Sequence, residues 1–182
     1  MLRHEVRDGI AWITLDRAEK LNAMTRDFFT ELAGHMEQAD RDPSVRSVIV
    51  HGDGKCFSVG GDIEGFGELG GSADRRAYVQ EALRSYRTVE EISKPVIAAV
   101  HGFALGGGCE LTLVCDLVVA DETARFGMPE ASVGLFPGPG AVRGRAYMSL
   151  HAIKEMIFTG AILDAERAHA FGLVNAVVPP GE

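Results

Sequence analysis

The stretch KPVIAAVHGFALGGGCELTLV, residues 94–114, decides the fold. Lys94-Pro95 punctuates the chain. Val96–Val100 is a short, continuous apolar run, the kind of strand that is buried on both faces. Gly102–Gly108 follows as a glycine-rich turn, and Cys109–Val114 reads as a buried helix. A strand that passes through glycines into a helix, repeated along a chain, makes an α/β protein.

The same rhythm extends outward. Upstream, residues 2–7 and 10–15 flank Asp8-Gly9, a two-residue hairpin signal. In the second run Ile10, Trp12 and Thr14 share one face and Ala11, Ile13 and Leu15 the other, and both faces read as largely buried. After a loop from Asp16 to Met24, Thr25 is the expected N-cap of a helix reaching about Ala39, with an apolar stripe of Phe29, Leu32, Ala33 and Met36. Val45–His51 is a β-rich strand opening into a glycine-rich loop, His51 to Gly71. A helix over 73–92 sets Val79, Ala82, Leu83, Tyr86 and Val89 on one face. Downstream, Leu117–Ala120 is another apolar strand and residues 121–140 are irregular. Helices over 140–148 and 151–158 precede Gly160 as a terminator. Asp164 caps a short helix ending near Gly172, and Leu173–Val178 is the last strand. Residues 1–182 read as a single domain, with no linker and no low-complexity segment.

Composition narrows the function. Apolar residues are spread along all 182 positions, which excludes disorder. A formal net charge of −8 and the lack of a Lys/Arg run argue against a nucleic-acid partner. No run approaches the roughly 20 apolar residues of a membrane span, and MLRHEVRDGI lacks the apolar core of a signal peptide. A cytoplasmic location is the default expectation. Cys56, Cys109 and Cys115 match no zinc spacing and read as reduced, buried thiols. The 22 glycines cluster, and such clusters mark tight turns or ligand cradles.

Two of these clusters, Phe57–Ile63 and Ala104–Glu110, each follow a strand and lead into a helix. A helix start leaves backbone N–H groups unpaired and partly positive. Two such turns face to face would aim two N–H groups at one developing oxyanion. Each turn alone reads equally as close strand–helix packing. A dinucleotide-binding reading of Gly106-x-Gly108 fails at its third glycine, where Leu111 stands. Glu110 lies in an apolar run and Glu130 follows Phe126-Gly127-Met128-Pro129. Buried carboxylates are costly unless partnered, and desolvation with mutual repulsion would raise their pKa values into an acid–base range. The bland alternatives stay open: a salt-bridged helix residue for Glu110, a surface carboxylate for Glu130. Asp62 also reads as a cap, and His101 and Asp116 as structural. No histidine sits at metal-ligand spacing, so no metal site is expected.

In order and spacing these segments resemble the crotonase superfamily, the enoyl-CoA hydratase/isomerase family, and are most similar to enoyl-CoA hydratases. The resemblance runs from about Arg7 to Pro179. It is strongest in CFSVGGDI (56–63), KPVIAAVHGFALGGGCEL (94–111), CDLVVAD (115–121) and ARFGMPEASVGLFPGPG (124–140). AFGLVNAVVP (170–179) is similar to the family segment that closes the core. The resemblance implies an α/β crotonase (ClpP-like) spiral of repeated β-β-α units.

It further implies an oxyanion hole from the backbone N–H groups of Gly61 and Gly107, and a pair of hydratase acids, Glu110 and Glu130. It implies a backbone contact at Gly138 to the catalytic water. Coenzyme A would lie along Asn22-Ala23-Met24 and the Gly60-Gly61-Asp62-Ile63 backbone. The implied reaction is addition of water across the 2,3 double bond of an enoyl-CoA thioester, with Glu110 as base on the water and Glu130 as proton donor to C2. Coenzyme A enters as part of the substrate and no separate cofactor is implied. The alternatives are an enoyl-CoA isomerase, another thioester enzyme of this family, or a non-catalytic acyl-CoA-binding relative. Family assembly implies a homotrimer or dimer of trimers, built through C-terminal trimerisation helices.

The sequence departs from the family pattern at four places. Gly61 stands where hydratases commonly have Ala, and Glu64 where a basic residue is frequent. Ala141-Val142-Arg143-Gly144-Arg145 replaces a Gly-Thr-Gln-Arg run that shapes the acyl pocket. The sequence stops at Gly181-Glu182, where family members continue into the C-terminal helical block. Without that block, exposed apolar surface, looser oligomers and weak activity are expected.

Overall fold

Asp8 and Gly9 both take positive φ, 53° and 79°, the geometry of a tight two-residue hairpin turn. They join β1 (Leu2–Arg7) to β2 (Ile10–Leu15) in a computed structural model that describes residues 1–181. β2 then pairs in parallel with β3 (Ser47–Gly52), followed by β4 (Val96–Val100), β6 (Leu117–Asp121) and β9 (Ala176–Val178). The six strands lie in the order β1-β2-β3-β4-β6-β9.

A second, three-stranded sheet holds β5 (Phe103–Leu105), β7 (Arg125–Gly127) and β8 (Ile162–Asp164). Seven helices complete the fold among the described residues: α1 (Arg26–Arg41), α2 (Ile63–Gly67), α3 (Ser72–Glu91), α4 (Gly107–Thr112), α5 (Gly138–Tyr147), α6 (Leu150–Thr159) and α7 (Ala165–Ala170). β3, β4 and β6 of the large sheet are each followed by a step onto the small one and then by helical structure. β4, β5 and α4 make one such unit; β6, β7 and the 3-10 turn Pro129–Val133 make the next. After β3, Ser58 pairs with Ala104 of β5 and starts the same step. This is the expected spiral of β-β-α units.

The core lies between the large sheet and the helices. Val48, Val50, Val96, Ala98 and Val100 meet Phe28, Leu32 and Met36 of α1, all buried. Both faces of β4 were expected to be buried; instead Ile97 and Ala99 stay half-buried, because only the alternate face carries the core. The Ile10/Trp12 face of β2 is likewise only half-buried. Thr25 precedes α1 as expected but makes no side-chain cap, its hydroxyl donating to the Met1 sulfur instead. The region 121–140, expected to be irregular, contains β7 and the Pro129–Val133 turn. β5 and β8 were also missing from the sequence reading; three-residue strands are too short to show a period.

Candidate active site

Gly60 and Gly106 bring the two glycine turns together. Both have positive φ, 90° and 51°. A Cβ on Gly60 would lie 2.6 Å from the Leu105 oxygen and 2.9 Å from the Gly107 nitrogen, so only glycine fits. Residues 24 and 60–62 pair in parallel: the Met24 N–H binds the Gly60 oxygen and the Asp62 N–H binds the Met24 oxygen. That pattern turns the Gly61 N–H to the opposite side. Gly107 is the first residue of α4, so its N–H has no carbonyl one turn earlier to bind. Neither N–H donates a hydrogen bond among the described residues. A Cβ placed on Gly107 would be 3.7 Å from the Gly61 nitrogen, which brings the two turns into contact.

Both glycines open onto one cavity of about 660 Å³ that also holds Glu110, Glu130, Gly138 and Arg143. Glu110 stands in the first turn of α4 and is 8 % exposed. Its Oε1 accepts the Gly140 N–H of α5 at 2.9 Å. Burial pushes its carboxyl up to about 7; the Gly140 bond and the Arg143 guanidinium restrain that rise and the Glu130 carboxylate adds to it. Glu130 sits in the turn that follows β7, half-buried, and desolvation raises it too. Its Oε2 is buried without a hydrogen-bond partner among the described residues. Neither bland alternative holds: among the described residues Glu110 makes no ion pair, and Glu130 is half-buried in the cavity rather than a surface carboxylate.

One wall of the cavity is aromatic. Phe66, Tyr78, Phe29 and Tyr86 meet edge to face in a row, with centroids 5.5 to 5.9 Å apart. The expected apolar face of α3 is present, but only Tyr86 and Val89 are buried. Val79 and Leu83 line the open cavity instead. The Tyr86 hydroxyl donates to the Gly107 carbonyl at 2.8 Å and so fixes the peptide that follows the free N–H. Burial, with the carboxylate of Asp62, pushes the Tyr78 phenol up to about 12, so it stays a donor, and it reaches the Met24 carbonyl at 3.4 Å.

The other expected binding residues hold the loops. Asn22 is buried, with positive φ; its amide donates to the Asp53 and Cys56 carbonyls and its oxygen accepts the Arg17 N–H. Met24 is buried beneath Tyr78 and Tyr86, and neither its side chain nor that of Asn22 lines the cavity. Asp62 caps α2 and is paired with Arg17 at 2.6 Å, which holds its carboxyl below the usual range. The same guanidinium donates to the Ala23 carbonyl, tying loop 17–24 to the Gly61 turn. Ile63 is exposed and lines the cavity mouth. Glu64 pairs with Lys20 at the surface. Gly138 starts α5 with open space around it. His101 binds the Gly54 carbonyl, Asp116 accepts the Val96 N–H, and all three cysteines are free and buried. Among the described residues no group of three His, Cys, Asp or Glu is arranged to hold a metal.

Sequence reasoning missed Gly140 as the partner of Glu110, Tyr86 as the brace of Gly107, and the ion pair of Arg143 with Glu90. Its only signals were a Gly-Pro-Gly helix start and a tyrosine on an otherwise apolar face.

Comparison with known proteins agrees with the fold. The sequence model of the enoyl-CoA hydratase/isomerase family matches residues 5–182. A probable enoyl-CoA hydratase of Rhizobium meliloti is 39% identical over 178 residues, covering 97% of this chain and 68% of the relative. The short-chain-enoyl-CoA hydratase of Clostridium acetobutylicum is 38% identical over 180 residues, covering 98% and 69%. The crystal structure of an enoyl-CoA hydratase/carnithine racemase from Magnetospirillum magneticum superposes with a TM-score of 0.93 at 32% identity, over 98% of this chain and 68% of that one. An enoyl-CoA hydratase of Mycobacterium smegmatis gives 0.94 at 32% identity, over 98% and 70%. The chain belongs to the enoyl-CoA hydratase/isomerase family.

Proposed function

We propose that this chain hydrates the 2,3 double bond of an enoyl-CoA thioester. The observation that carries the reading is one cavity that holds two unpaired backbone N–H groups and two desolvated carboxyl groups. Relatives named short-chain-enoyl-CoA hydratase and crotonyl-CoA hydratase support it.

In this reading the thioester oxygen accepts the N–H groups of Gly61 and Gly107. Each such donor is worth about 10²–10³ in rate once negative charge develops on that oxygen. The two acids share one proton. In the reacting form it sits on Glu130, whose Oε2 has no donor to favour a carboxylate. Glu110 is then ionised, its Oε1 held by the Gly140 N–H. Water loses a proton to Glu110 while its oxygen bonds to C3. The C2–C3 π pair moves into the enolate, and C2 takes the Glu130 proton as the carbonyl re-forms. Proton transfer from Glu110 to Glu130 resets the pair.

The aromatic and aliphatic wall supports an apolar acyl group, and coenzyme A would pass the mouth near Ala23 and Ile63. Exposed Leu150 and Phe158, outside the cavity, support an oligomeric chain, for which the family resemblance implies a trimer or dimer of trimers. Three free, buried thiols fit a reducing compartment such as the cytoplasm. No helix among the described residues is long and apolar enough to cross a membrane. Loss of crotonyl-CoA absorbance on adding the protein tests the activity. Binding of the thioester without turnover would overturn the assignment.

A further inference from the structure

The α5 residue Arg143 lies one turn beyond Gly140, on the same side of the helix. Gly140 holds Glu110, and Arg143 lines the same cavity. Its Nε and Nη2 bind the two oxygens of Glu90 in a fork-to-fork pair that spans from α5 to α3. The pair sits at the solvent edge of the cavity, with Arg143 half-buried and Glu90 exposed. Glu90 lies one turn after Tyr86, the residue that braces Gly107. The pair therefore joins the helix that holds the acid to the helix that holds the oxyanion turn.

We propose that Arg143 is a positioning residue acting through Glu110, with Glu90 setting how much of its positive charge reaches the cavity. The proposal rests on the hydration reading for its effect on rate, but not for its effect on the Glu110 proton.

Charged and titratable groups around the pair are few. Glu110 faces Glu130 from the Pro129–Val133 turn, Tyr86 from α3, Cys109 from its own helix and Arg143 from α5. Arg143 faces Glu90, Glu110 and Tyr147. Arg143 is the one cation acting on Glu110 among these, and it favours the ionised acid. A bidentate carboxylate on the far side of the guanidinium partly cancels that charge.

A purely mechanical clamp and a charge relay make different demands. Arg143→Gln removes the cation, and Glu110 should then hold its proton to higher pH. Glu90→Gln uncovers the cation, and Glu110 should lose its proton at lower pH. Arg143→Lys keeps the charge without the fork and should sit near the parent. Opposite shifts of roughly half a unit to one unit are expected.

The test is titration of the Glu110 carboxyl by carbon-13 NMR in the full chain, assigned by its loss in Glu110→Gln, beside pH profiles of crotonyl-CoA hydration. Opposite shifts for Arg143→Gln and Glu90→Gln, with Arg143→Lys near the parent, support the proposal. Shifts in the same direction, or none, overturn it. Should Arg143→Gln fail to fold, a downward shift in Glu90→Gln with Arg143→Lys near the parent supports the proposal, and no shift or an upward one in Glu90→Gln overturns it. A parent protein without turnover would defeat the hydration reading yet leave the NMR comparison readable.

Discussion

The Tyr86 hydroxyl donates to the carbonyl of Gly107 at 2.8 Å, so a side chain of α3 fixes the peptide that opens α4. Removing that oxygen leaves a half-satisfied carbonyl beside the free Gly107 N–H. Tyr86→Phe should cost about 0.5–1.5 kcal/mol in urea unfolding, the usual net worth of one hydrogen bond. Turnover should fall more than substrate affinity, because the loosened peptide adjoins the one that carries the oxyanion donor. An unchanged kcat would separate Tyr86 from the site.

Each acid should be needed on its own. Glu110→Gln and Glu130→Gln both keep the shape of the side chain and remove its proton chemistry. Each should lower hydration of crotonyl-CoA by about 10²–10⁴. A family isomerase would depend on one of them only, so unequal loss in an isomerisation assay alongside hydration separates the two reactions.

The pH–rate profile should be bell-shaped, since two acids sharing one proton fail when both are protonated and when both are ionised. The Glu130 carboxylate contributes to the rise of Glu110 to about 7, so the pair gives up its one shared proton in that range, whichever acid carries it. The alkaline limb of kcat/KM should therefore fall near neutral pH. Glu110 also bears on stability. Its folded value of about 7 lies above its ordinary 4.5, so the folded state binds the extra proton between those values. Its contribution is complete below the ordinary value and is lost as pH rises towards 7. Glu110→Gln should flatten that slope and stabilise the protein above pH 7 by roughly 1–3 kcal/mol, read by denaturant unfolding at two pH values.

Gly60→Ala should damage both fold and site. Its Cβ would meet the Leu105 oxygen and the Gly107 nitrogen at distances real side chains do not tolerate, on a backbone at φ 90°. A loss of more than about 2 kcal/mol is expected, together with loss of turnover. Gly138→Ala, with open space around it, is the matched control for stability.

The features that were legible in the sequence are those carried by neighbours along the chain. Asp8-Gly9 announced its hairpin, and the apolar runs at 48–50, 96–100 and 117–120 announced the parallel sheet. Glu110 and Glu130 stood out as carboxylates in apolar surroundings, and burial confirms the cost that made them visible. β5, β7 and β8 escaped because three residues hold no period. The partners of the acids escaped for a different reason. Gly140 is thirty positions from Glu110, and Glu90 is fifty-three from Arg143, so only the folded chain brings them together. The apolar stripe of α3 is legible in the sequence, but periodicity cannot tell a buried face from one that borders a cavity.

Glu110 and Glu130 are delivered by successive turns of the same coil, one just after β5 and the other just after β7, which lie side by side in parallel. Neighbouring strands stand about 4.8 Å apart whatever their side chains. The gap between proton donor and proton acceptor is thus inherited from backbone pitch, leaving the cavity-lining residues 132–136 free to drift in sequence and re-tailor the chamber for other acyl groups without disturbing the chemistry.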